Sequence, residues 1–257
     1  MNGYSTICFI TGSLSFLIGM LVFLANKKSK LNQSWFFSNL AVSVWIVFLG
    51  VTMTTSDPKL AFLSQKLLYV GTIFIPVFFL YFSFLLTKEE EKAQRTLRIN
   101  LFFAFLFLVT LFFTPLFISH LKPRTNFGYW PVEVGIFYYP FLIWFGSMVI
   151  WGFQVLWKGF KSEKLAPSQR KQIKFIFQGV LIGFLAGCLN FLLDFGIYII
   201  PLYNLLVPFY LGFVSYAIVT GHLFGIKVIL TDLLIGVMGI VLLIFGLVGP
   251  SLSAKTL

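Results

Sequence analysis

Eight stretches of the chain contain no Asp, Glu, Lys or Arg: 1–26, 31–56, 67–87, 99–121, 134–157, 175–193, 195–226 and 233–254. Each is close to or above the roughly 20 residues a helix needs to cross about 30 Å of hydrocarbon. None alternates apolar and polar residues in the manner of an outer-membrane barrel. In lipid, every backbone polar group must find its partner internally, and an isolated segment does so only as a helix. The fold class is therefore all-α, a polytopic transmembrane helical bundle of about eight spans. Composition agrees: 59% of the 257 residues are apolar and 11% are charged. Soluble domains have about 45–50% apolar and about 25% charged residues. A soluble enzyme, a disordered chain and a disulfide scaffold are excluded.

The spans are placed at 5–25, 35–53, 68–87, 99–118, 136–156, 175–194, 202–220 and 232–249. Lys and Arg in the connections set the orientation. The first, third, fifth and seventh connections carry 14 of them, and the other side carries 5. The basic connections are expected in the cytoplasm and the N-terminus outside, which puts the C-terminus outside too. The first span has no basic segment before it and a Lys cluster after it, unlike a cleaved signal peptide. The net charge of +11 is mostly this asymmetry, so no nucleic-acid partner is expected.

Few residues offer chemistry. His120 falls outside and His222 inside, so they cannot share a metal, and neither has a ligand spacing such as HExxH. Cys8 and Cys188 lie within spans and read as small apolar residues. Spans seven and eight hold no lysine for a retinal Schiff base, and there is no Walker loop, GxSxG or GxGxxG. No catalytic residue, metal or other cofactor is expected.

Polar residues within the spans are more informative, because an ionisable group in the bilayer is costly and usually functional. Asn190 and Asp194 stand four apart in span six and share a face. A ligand role and an interfacial position for Asp194 are both open. Pro201 and Pro208, beside Tyr203 and Asn204, would kink or start the next helix. The fourth connection, 119–135, reads SHLKPRTNFGYWPVEVG, and Tyr138 and Tyr139 follow it. Tyr129, Trp130, Glu133, Tyr138 and Tyr139 form either an aromatic belt at the headgroups or a lid and walls over an outward pocket. Gly179, Gly183 and Gly187 recur every fourth residue along span six, a spacing that permits close helix packing. The segment 88–98 mixes charges and reads as a solvated helical extension. The basic segment 157–175 fits attraction to anionic membrane lipids or contact with an output domain.

Three segments resemble the N-terminal seven-helix sensor region of bacterial histidine kinases. Span three carries Tyr69, Gly71, Pro76 and Phe82. The entry to span six carries Arg170, Gln172, Lys174, Gly179, Gly183 and Asn190. The exit of span seven carries Tyr216, Ala217, Ile218, Leu223, Phe224 and Ile226. The resemblance implies a multi-pass protein of the bacterial cytoplasmic (inner) membrane that senses a small or lipophilic signal and passes it on by helix repacking. It also implies a possible homodimer and a cytoplasmic kinase, in cis or in trans. The chain lacks a phospho-acceptor His box and ATP-binding glycine boxes, so it is not expected to phosphorylate anything itself. Residues 1–227 read as the sensor domain and 228–257 as an eighth helix with a short outside tail, similar to the nine-span kinases without their kinase part. The competing readings are a small transporter or permease, for which midplane polar residues are too few, and a membrane-embedded enzyme.

Overall fold

A computed structural model describes residues 3–197 together with 206, 207, 210 and 214. Spans seven and eight, and the boundary at residue 227, lie almost wholly outside the described residues. Among those described, six helical segments are long and apolar enough to cross a membrane.

The helices are α1 (Gly3–Ala25), α2 (Lys30–Thr54), α3 (Pro58–Leu86), α4 (Glu90–Phe113), α5 (Tyr138–Lys161) and α6 (Pro167–Cys188), followed by a short α7 (Phe191–Asp194). Several begin well before the expected span. Polar turn residues nucleate them. Ser29 caps α2 by accepting from the Asn32 amide. Asp57 caps α3 by accepting from the Lys59 amide, with Pro58 in the first turn. Both devices satisfy an amide that the helix start leaves without a partner. The α4 helix starts within the charged stretch, so most of the 88–98 segment becomes its first turns after a break at Lys88, whose φ is 63°.

Packing is sequential: α1 lies on α2, α2 on α3, and α5 on α6, while α3 also touches α4 and α5. The central α3 is the most buried helix. Close approach to α2 depends on Gly71, where a Cβ would lie 2.5 Å from the Trp45 nitrogen and 2.6 Å from the Ala41 oxygen. Between α1 and α2, Ser15 and Asn39 find partners within the bundle. Ser15 donates to the backbone oxygen of Asn39 at 3.1 Å, and the Asn39 amide donates to the Trp35 carbonyl at 2.9 Å.

The structure adds one feature the sequence does not announce. The fourth span ends at Phe113, and Ile118–Leu121 (β1) pairs antiparallel with Val132–Val134 (β2). This hairpin lies across the α2–α3 turn. Arg124 Nη2 donates to the Met53 carbonyl at 3.1 Å, and Trp130 Nε1 donates to the Thr55 carbonyl at 3.0 Å. Gln65 Nε2 donates to the Trp130 carbonyl at 2.5 Å. Within the hairpin loop, Gly128 has φ 92°, in the left-handed region that favours glycine.

Candidate functional site

The α6 helix gives way at Leu189. The Asn190 amide bonds the Gly187 carbonyl at 3.1 Å, and the Leu193 amide bonds the Asn190 carbonyl at 3.1 Å. These tighter i to i−3 bonds replace the α-helical ladder. They turn the chain so that Asp194 faces inward at the hairpin end of the bundle. An interfacial carboxylate would be solvated, but this one is 3% exposed.

A buried carboxylate demands donors. Here three phenols from three elements supply them. Tyr69 of α3 donates to Oδ2 at 2.5 Å, and Tyr138 of α5 donates to the same oxygen at 2.8 Å. Tyr129 of the hairpin reaches Oδ1 at 3.4 Å. The Tyr69 and Tyr138 hydroxyls lie 3.1 Å apart, and their rings meet edge-on and pack around Phe117. Lys122, the residue after β1, donates to the backbone oxygen of Asp194 at 3.1 Å and pairs with Glu133 of the hairpin at 3.0 Å.

Beside this cluster a narrow cavity of about 90 Å³ runs between α2, α3 and α6. Its walls on α2 extend from Trp35 to Leu49, which at 1.5 Å per residue is a length of roughly 20 Å. Phe79, Phe82, Phe145, Phe184 and Phe191 make much of the remaining wall, and Val207 and Tyr210 also line it. Asp194, Asn190 and Tyr129 stand at its hairpin end. The arrangement is a long apolar slot with one acidic end.

Among the residues singled out from the sequence, Asn190, Asp194, Tyr129 and Tyr138 are brought together here. Glu133 is one residue removed, as the partner of Lys122. Trp130 anchors the hairpin through Thr55 and sits beside Arg124, and it does not line the cavity. Tyr139 points away from the cluster, half exposed against Phe195. Of the three glycines, Gly179 is buried, while Gly183 and Gly187 line the cavity. A Cβ at Gly183 would meet the Tyr210 side chain at 3.2 Å, whereas one at Gly187 would meet only the Trp45 ring, at 3.7 Å. Sequence reasoning missed Tyr69 and Lys122 as site residues. The signal for Tyr69 was a hydroxyl in the middle of an apolar span, where a phenol is retained with a partner.

Among the described residues no cluster of His, Cys, Asp or Glu could hold a metal ion. A family model described as the N-terminal 7TM region of histidine kinase matches residues 7–248. The chain belongs to this family. The match begins within α1 and takes in the hairpin, the tyrosine cluster and every residue lining the cavity. It therefore makes the chain a multi-pass membrane protein of the histidine-kinase sensor type. The matched region is the sensor part of such a kinase and not its catalytic part. No curated protein and no solved structure gave a significant match.

Proposed function

We propose that this histidine-kinase 7TM region is a signal-sensing module that binds a small, lipophilic molecule in the slot between α2, α3 and α6. Binding there would bias the packing of α6 and the hairpin and so carry the signal to a cytoplasmic kinase, in cis or in trans. The setting would be a bacterial inner membrane, with the hairpin end outside. The observation that carries this reading is the coincidence of an apolar slot with a buried carboxylate that joins four elements. Asp194 connects α7 to α3, α5 and the hairpin through three hydroxyls. A molecule competing for that carboxylate would change the contacts of all four. Only such differential contact can shift an equilibrium between two packings.

Cys188 supplies a built-in reporter, since its thiol is free and lines the slot. The test is alkylation of Cys188 by a maleimide, followed site by site with mass spectrometry. The purified chain would be held in dodecyl maltoside, with and without decanol as an apolar probe. Saturable slowing of Cys188 alkylation supports the reading. A rate that decanol leaves unchanged at every concentration contradicts it.

A further inference from the structure

The charge balance of the slot goes further than its shape. Lys122 pairs with Glu133 and donates to the backbone oxygen of Asp194, and among the described residues no cationic side chain forms an ion pair with the Asp194 carboxylate. The sequence has no Lys or Arg between Lys174 and Lys227. Spans one to three are equally free of them. The three phenols are neutral donors, so they solvate the carboxylate without cancelling its charge. Their placement is also uneven. Both bonds under 3 Å go to Oδ2, and among the described residues Oδ1 has only the 3.4 Å contact from Tyr129. A carboxylate offers about four lone-pair sites, so Oδ1 has room for a further donor.

Much of the slot's lining around Asp194 and Asn190 is aromatic. Tyr69, Tyr129 and Phe191 line the slot next to Asp194, and Trp45 lines it on α2. Ring faces attract cations, and a carboxylate beside aromatic walls is the arrangement that recognises ammonium groups. An anionic head would instead be repelled by Asp194 in a site with little water to screen it.

From this juxtaposition we propose that the slot is selective for a lipophilic ammonium: a primary or methylated amine on an extended apolar body. The ammonium donates to Asp194 Oδ1 at the hairpin end, and the apolar body lies along α2 towards Trp35. Tyr129 makes the longest of the three contacts and is the donor that yields. The hairpin that carries it is the first element to register the ligand. This proposal rests on the sensing function proposed for the same slot and names its ligand class.

The test compares three probes of one chain length, decylammonium, decanol and decanoate, in dodecyl maltoside micelles, which carry no charge. Protection of Cys188 from maleimide is the readout. The proposal expects decylammonium to protect at concentrations at least tenfold below decanol, with decanoate weakest. In Asp194→Asn the advantage of decylammonium over decanol should vanish while decanol still protects, and comparing each probe across the two proteins cancels partition into the micelle. Tyr129→Phe, which leaves the two short bonds to Asp194 in place, should keep the order of the probes even if Asp194→Asn does not fold. Equal protection by the three probes in the wild-type chain overturns the ammonium selectivity and leaves the sensing slot standing. Protection by none of them overturns both.

Discussion

Glycine is used in opposite ways at the α1–α3 contacts and at Gly187 of α6. In α1–α3 it removes all space between helices. A Cβ at Gly12 would lie 2.5 Å from Val47, one at Gly19 2.8 Å from Asn39, and one at Gly71 2.5 Å from the Trp45 backbone. At Gly187 of α6 it leaves room. Gly187 has only a ring at 3.7 Å, and both Gly183 and Gly187 border the slot. Without a hydrophobic drive between helices in lipid, close backbone approach supplies the van der Waals contact that holds them. The α1–α3 half is thus a rigid frame. The α6 side keeps a cavity against that frame, at the place where a helix breaks and a carboxylate turns inward.

The largest effect should come from the frame. In Gly71→Ala the new methyl meets backbone that cannot swing aside, so destabilisation of about 3 kcal/mol, the upper part of the overpacking range, is expected in thermal unfolding of the purified chain. A smaller loss would mean that α2 and α3 can separate, and the contrast with Gly187 would fail. Next comes Tyr69→Phe. It deletes the shortest hydrogen bond to a buried carboxylate, and bonds to charged groups contribute about 1.5–3 kcal/mol, so a loss of about 2 kcal/mol is expected. Tyr129→Phe removes the 3.4 Å contact and should cost under about 1 kcal/mol. If its cost matched that of Tyr69→Phe, the graded tyrosine cage would be wrong. Gly187→Ala should stay within about 0.5 kcal/mol of the wild type, because its Cβ would make only an ordinary van der Waals contact with the Trp45 ring, at 3.7 Å. A loss as large as that of Gly71→Ala would show that α6 is packed like the frame.

The membrane-spanning segments were legible because removing charge over roughly 20 residues leaves few foldable options in lipid. Their ends were less so. The expected third span started at residue 68, whereas α3 starts at Pro58, because a capped turn nucleates a helix in water as readily as at the membrane surface. The hairpin was hidden for a different reason. Its strands have four and three residues, and the chain leading into β1 is as apolar as the span before it. The inward carboxylate could be suspected from its position in span six. Its cage could not, since Tyr69 lies 125 residues away in sequence and only packing brings them together. Trp130 and Tyr139 show the limit of composition as a guide. Both are aromatic neighbours of the site, yet one serves as an anchor for the hairpin and the other faces outward.

The central claim is that filling the slot changes packing beyond it. Hydrogen exchange of the purified chain, with and without a saturating slot ligand such as decylammonium, tests this most directly. The account predicts altered exchange in the hairpin, 118–134, and in the turn after α6, 189–194. It also predicts a change at the opposite end of the bundle, in the 162–166 connection between α5 and α6. Changes confined to the residues that touch the probe would contradict it, and would leave a binding pocket that transmits nothing.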